Sequence, residues 1–285
     1  GFDKGELAPL RFRLGDYSRA GAAQDVARAR AGLATLRSFG RQGLSETALV
    51  DYDVVEYGLE RALSGSRFGY GSSGGRYAPY VLSQLTGPYR SIPDFLNSQH
   101  PIETATDAEA YISRLSAFGR VLDESTERQR QDAAKGVFAP DYLLDTTLRQ
   151  LRTLRDQPAA RTQLVQSLAR RTREKGIAGS WEQQAERIVD SSVFPALDRQ
   201  IALVTELRAR AVHDAGVWRL PDGEAYYQGA IEASTTTRLS ADEVHRIGLE
   251  QVAELEAQLD PILRREGLTR GTAGERLAAL NKRPD

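Results

Sequence analysis

The sequence predicts an all-α protein, a bundle-like array of many helices. Three observations carry that prediction. Apolar residues recur at three- and four-residue steps along most of the chain, the alternation of half-buried strands between turns is missing, and four sites have the form of a capping box. In such a box a Ser or Thr precedes a Glu or Gln by three residues, and the pair satisfies the unbonded amides of a first helical turn. The four are Thr106 with Glu109, Ser180 with Gln183, Ser240 with Glu243, and Thr272 with Glu275.

Outward from these starts the elements follow in order. Helices are expected over residues 20–39 and 45–63, the second with an apolar face of Leu49, Val50, Val54, Tyr57, Leu59 and Ala62. SGSRFGYGSSGG, residues 64–75, has too much backbone freedom for a helix, and 64–76 reads as a flexible loop. It is glycine-rich but lacks the Gly-Lys-Ser/Thr ending that a phosphate-cradling loop requires. The chain is helical again over 106–134, with Tyr111, Leu115, Phe118 and Leu122 in step, and Pro140 fits the first position of the next helix, where its missing amide costs nothing. That helix carries Leu143, Leu144, Leu148, Leu151 and Leu154. Another covers 159–175, and a long stretch over 180–212 must be kinked or divided by Pro195. After the turn LPDG at 220–223 come a short helix over 224–233 and a long one opened by Ser240, with Val244, Ile247, Val252, Leu255, Leu259 and Ile262 as its buried stripe. No fixed-period repeat marks a solenoid, and residues 1–285 read as one helical domain or part of one.

The composition narrows the function. Thirty-eight basic residues against thirty-nine acidic ones leave a formal charge of −1, which gives no field to attract phosphate backbones and argues against nucleic acid as a partner. No apolar run approaches the roughly 18 residues of a membrane span, and no signal-peptide core opens the chain. With no cysteine, thiolate metal sites and thiol nucleophiles are excluded. The chain has no methionine, opens at GFDKGEL and stops at NKRPD, and so reads as an excerpt of a longer protein.

The three histidines do not form a metal site. A helical zinc site needs a second donor one turn away, but the positions three and four from His245 are Asp242, Ala241, Gly248 and Leu249, of which only Asp242 could coordinate. His245 reads instead as a partly buried, hydrogen-bonded histidine beside the apolar stripe. His213 lies near a helix end, where a cation complements the negative pole, and His100 precedes Pro101 in an extended loop. There is no H-E-x-x-H and no G-x-S-x-G, so neither a metal ligand nor a catalytic residue is expected within residues 1–285.

LPDGEAYYQGAIEASTTTRLSADEVHRIGLEQVAEL, residues 220–255, resembles a large bacterial family catalogued as domain of unknown function 885, whose members show a similar LPDGxxYY, a TTT and a pattern close to S-x-x-E-[VI]-H-x-x-G-L-x-x-V. YVLSQLTGPYRSIPDFLNSQHPI at 80–102, DAEAYISRL at 107–115 and GVFAPDYLLDTTLRQL at 136–151 are similar to that family too, so the resemblance covers nearly the whole chain. It implies the N-terminal half of a helical zinc-dependent metallopeptidase related to the gluzincins, often exported to the periplasm or lipid-anchored. Its zinc ligands and catalytic glutamate belong to a C-terminal half beyond residue 285. Zinc is then expected in the intact protein and none in this stretch, with a peptide as substrate and the missing C-terminal half as partner. Such a peptidase holds substrate in a groove between helical halves, and the groove candidates here are Tyr226, Tyr227, Thr235, Thr236, Thr237 and His245, whose phenols, hydroxyls and imidazole can hydrogen-bond a peptide backbone or an oxyanion. The alternative is a helical binding or scaffold module with no chemistry of its own.

Overall fold

The computed structural model describes residues 5–72, 75 and 77–282. Among them eleven α-helices follow one another: α1 Arg19–Phe39, α2 Glu46–Ser66, α3 Pro88–Ser98, α4 Ala105–Ala133, α5 Asp141–Arg155, α6 Gln163–Glu174, α7 Trp181–Ile188, α8 Phe194–Arg210, α9 Gly223–Thr235, α10 Ala241–Arg265 and α11 Ala273–Leu280. No strand occurs among the described residues. The helices fall into two units, Gly1–Gly229 and Ala230–Asp285, with the boundary inside α9.

The first unit is built around α4. Tyr111, Leu115, Phe118 and Leu122, the apolar step read from the sequence, are fully buried. Around this helix pack α3, α6, α7, α8 and the 3-10 helix Gly5–Phe12, while α5 lies along α8 and α1 along α2. The core joins Leu96 of α3, Leu144 and Leu151 of α5, Leu164 and Leu168 of α6, and Leu197 and Val204 of α8. In the second unit α11 folds back on α10, burying Leu263 and Ala273, and Arg276 reaches Asp260 at 2.8 Å.

Local signals fixed several helix starts. Ser45 caps α2 by accepting from the Ala48 amide, and Ser240 and Thr272 form complete capping boxes with Glu243 and Glu275. The other two expected boxes are corrected. At α4 the cap is Thr104, whose side chain and backbone are bonded reciprocally with Asp107. That register wins over Thr106–Glu109 because Asp107 also accepts from the Glu103 amide and from Arg11. Ser180 stands at φ −91° and ψ 48°, which is not the extended geometry a cap needs, and its side chain caps no amide.

Prolines account for further differences. The stretch expected over 180–212 is divided, with a π-helical turn at Val189–Val193 between α7 and α8. Pro195 has no amide to offer the carbonyl four residues back, and the Phe194 amide reaches back five residues to Val189 instead. Helix α3 has no counterpart in the sequence reading. Its two prolines look like breakers, yet Pro88 opens the helix where no donor is needed, and Tyr89, Ile92, Pro93 and Leu96 are buried. Residues 159–161 form a 3-10 turn rather than the start of α6.

Periodicity also misjudged which faces are covered. On α2 the buried aromatic is Tyr52, whereas Val50 and Val54 are exposed. The expected buried stripe of α10 is largely in solvent: Val252, Leu255 and Ile262 are 55%, 56% and 47% exposed, and the buried residue of this helix is Leu263. Helix α2 runs on to Ser66, Tyr70 is buried beyond it, and Ser73, Gly74 and Arg76 of the glycine-serine loop lie outside the described residues.

One close approach fixes how α4 meets the π turn. A Cβ on Gly119 would stand 2.3 Å from Ser192 Oγ and 2.8 Å from its carbonyl oxygen. Gly119→Ala is therefore expected to cost about 1–3 kcal/mol through overpacking and to lower the thermal midpoint by several degrees. Gly58 on α2 has nothing within 4 Å of its would-be Cβ, so Gly58→Ala should be neutral or stabilising by about 0.5–1 kcal/mol. Paired thermal melts check both; a Gly119→Ala protein as stable as its parent would refute the close packing.

Candidate functional site

The six candidate residues of α9, α10 and the turn between them occupy different environments. Tyr226 is buried in an aromatic cluster, 4.9 Å from the Phe68 ring, 5.4 Å from Tyr70 in a stacked pair and 5.3 Å from Tyr77. Burial pushes its phenol well above the ordinary tyrosine value. Burial likewise raises Tyr70 to about 12, and its hydroxyl donates to the Pro221 carbonyl at 2.7 Å. The LPDGEAYYQG segment is shaped for this packing: Asp222 takes a positive φ of 52°, and a Cβ on Gly229 would meet the Tyr77 ring at 2.6 Å. Tyr227, the next residue, is 51% exposed.

The threonines close α9. Thr235 Oγ1 donates to the Ile231 carbonyl and lies 2.9 Å from Thr237 Oγ1, Thr236 takes a positive φ of 59°, and the Thr237 amide donates to Thr235 Oγ1. Their hydroxyls are thus engaged in shaping the turn into α10. His245 is exposed on α10, not partly buried.

The other histidines are committed to protein partners. His100 lies in the connection between α3 and α4 and is buried. Its Nε2 lies 2.9 Å from the Asp107 carbonyl and its Nδ1 2.6 Å from Arg114 Nη1. A carbonyl can only accept and a guanidinium can only donate, so the ring is the neutral tautomer protonated at Nε2, with its lone pair already taken. Burial, supported by the charges of Arg114 and Arg171, holds its pKa below the ordinary 6.5. His213 is exposed and sits 2.9 Å from Asp141 Oδ1. Among the described residues no group of three or more His, Asp or Glu side chains is arranged to hold a metal ion.

A concavity among the described residues lies elsewhere. A groove of about 870 Å³ forms where residues 10–17, the first turns of α1, Ser72, residues 80–88 and one edge of α4 meet. This is the size of a small-molecule or peptide-side-chain site. Leu14, Tyr17, Tyr80, Val81 and Phe95 supply apolar wall, and Arg13, Arg28, Arg114 and Arg128 line it with Asp16 and Asp25.

Helix α4 positions the two inner arginines. Arg114 donates to the carbonyls of Arg13 and Leu10, which fastens the N-terminal segment to the helix. About four turns on, Arg128 donates to Gly71 O at 2.8 Å and, at 3.5 Å, to Tyr17 O. Asp132 holds the same loop from below: its carboxylate accepts from Arg19 Nη2 at 2.5 Å and from the Gly71 amide at 2.9 Å. Arg128 also lines a second cavity of about 610 Å³ bounded by α1 and the end of α2.

The sequence reading missed these arginines. The signal was present: Arg114 and Arg128 border the apolar stripe of α4 and are not on its outer face, where a charged residue needs no explanation.

The family model of the bacterial proteins of unknown function termed DUF885 matches residues 4–285. Among solved structures the chain is similar to a Colwellia psychrerythraea protein described provisionally as a lipoprotein, with a TM-score of 0.89 at 25% identity, covering 96% of this chain and 48% of that one. The chain therefore spans about half the length of that relative. No curated protein matches.

His100 gives a pH signature. The unfolded chain's imidazole takes up its proton near 6.5 and the folded one only at lower pH, so between those values the unfolded state holds more protons. Stability should therefore rise with pH across that window and be lost on acidification below about 6.5. His100→Gln, which can keep both hydrogen bonds, should flatten this dependence in thermal melts from pH 4.5 to 7.5. A His100 ring that titrates at 6.5 by NMR in the folded protein would contradict the assignment.

Proposed function

We propose that this chain, which belongs to the DUF885 family, is the helical substrate-cleft portion of a zinc-dependent peptide hydrolase whose metal-bearing and catalytic residues lie in polypeptide outside residues 1–285. The observation that carries the reading is that the chain reproduces, over nearly its whole length, half of a longer relative. The exposed apolar residues of α10 support it. Each such side chain gains about 1.5–3 kcal/mol when taken out of water, so a helix with Val252, Leu255 and Ile262 in solvent suits a surface completed by further polypeptide.

Zinc does not fit the residues of this chain. The lone pair of His100 is held by Arg114, His213 faces one carboxylate, and of the positions three and four residues from His245 on its own helix only Asp242 carries a possible donor. These histidines take no step of the hydrolysis, and the part of this chain in the reaction is to bind and orient the peptide. The groove beside α4 supplies the means, with apolar wall for side chains and arginines for carbonyl or carboxylate oxygens. Export to the periplasm belongs to the same proposal, and the description of the Colwellia protein as a lipoprotein supports it.

A second reading, a helical binding or scaffold module without chemistry, draws on the same absence of a ligand triad among the described residues. Metal analysis separates the two. Stoichiometric zinc and peptide hydrolysis are expected in the longer protein, no zinc in residues 1–285, and no change in metal content on His245→Ala. Zinc held one-to-one by this chain alone would refute the first reading, and a longer protein that binds peptides without zinc or cleavage would select the second.

A further inference from the structure

The groove beside α4 contains a cation with no ion-pair partner among the described residues. Arg128 has five N–H donors and two acceptors, the carbonyls of Gly71 and Tyr17, of which the second is at the limit of a hydrogen bond. Its Nε is buried with no partner. It makes no ion pair among the described residues, and the acids nearest in effect are engaged elsewhere: Asp132 by Arg19 and the Gly71 amide, Asp25 by Arg28. Arg114 and Arg171 differ. Arg114 is occupied by His100 and two carbonyls, and Arg171 by the carbonyls of Leu96, Asn97 and His100 at the end of α3. A desolvated guanidinium with spare donors is costly unless something in the groove answers it.

We infer that Arg128 is a carboxylate subsite, taking the free C-terminal carboxylate of a short peptide whose last side chain lies against the apolar wall. The choice of a peptide rests on the peptide-hydrolase reading; the choice of a carboxylate rests on the groove. A planar fork with unused donors matches the two oxygens of a carboxylate. Arg13, exposed and without an acid partner among the described residues, adds to the attracting field. Four arginines against two aspartates favour an anion, while Asp16 and Asp25 repel a dianion such as phosphate. Leu14, Tyr17 and Phe95 offer the terminal side chain an apolar surface.

The test is binding to this chain, measured by calorimetry with N-acetyl-alanyl-leucine and with its C-terminal amide. The acid should bind about tenfold or more tightly than the amide, the size expected of one hydrogen bond to a charged group, and inorganic phosphate should compete poorly. Arg128→Gln should abolish the preference. Since that variant also loosens two backbone tethers, Arg13→Gln, at an exposed position, is the second: it should keep the parent's melting temperature and weaken the acid several-fold with a shallower salt dependence. Equal affinity for acid and amide, no binding of either, phosphate competing as well as the acid, or both variants binding like the parent would each overturn the subsite. Hydrolysis by the longer protein does not enter this measurement. A chain that prefers the acid while the longer protein cleaves nothing keeps the subsite and loses the hydrolase reading.

Discussion

Helix α4 is buried on most of its circumference, and that constraint shapes the first unit. A helix so enclosed must place its polar side chains where something inside the protein answers them. The answers come from irregular backbone. Arg114 takes the carbonyls of residues 10 and 13, Arg128 those of 17 and 71, Asp132 the amide of 71, and Gln129 the amide of Leu82 and the carbonyl of Val137. The apolar face of α4 thus gathers the helices, and its polar border gathers the loops. Both happen on one rigid element, so the groove formed by those loops has a fixed floor.

Two consequences follow for the glycine-rich chain between α2 and α3. Its Gly71 is held by Asp132 and Arg128, and its Tyr70 by the aromatic cluster in which it stacks on Tyr226. The tyrosine pair of the LPDGEAYYQG segment splits accordingly, with Tyr226 as packing and Tyr227 facing solvent. Adjacent positions on a helix point about 100° apart, so two neighbouring phenols rarely serve one site.

How much was legible follows from the range of each interaction. The caps at Ser240 and Thr272 involve partners three residues away, and they were readable because nothing distant competes for those amides. The cap at α4 was misplaced by two residues because Arg11, about a hundred positions away in sequence, also claims Asp107. Helix α3 went unread because proline statistics describe an isolated chain, whereas Tyr89, Ile92 and Leu96 gain enough burial to hold the helix together. The groove was the least visible feature. It is assembled from segments far apart in sequence, and the place of Arg114 and Arg128 beside the apolar stripe marks them as inner residues without saying what faces them.

By itself the sequence determined the helical class, most helix positions and the family to which the chain belongs. These depend on periodicity and on spacings within one or two turns, which the backbone enforces wherever the helix goes. The tertiary structure decided which apolar faces are covered, which histidine is locked in one tautomer, and which arginine keeps spare donors. Burial and charge compensation are properties of what lies across from a residue, and a helical repeat specifies a face without specifying its neighbour.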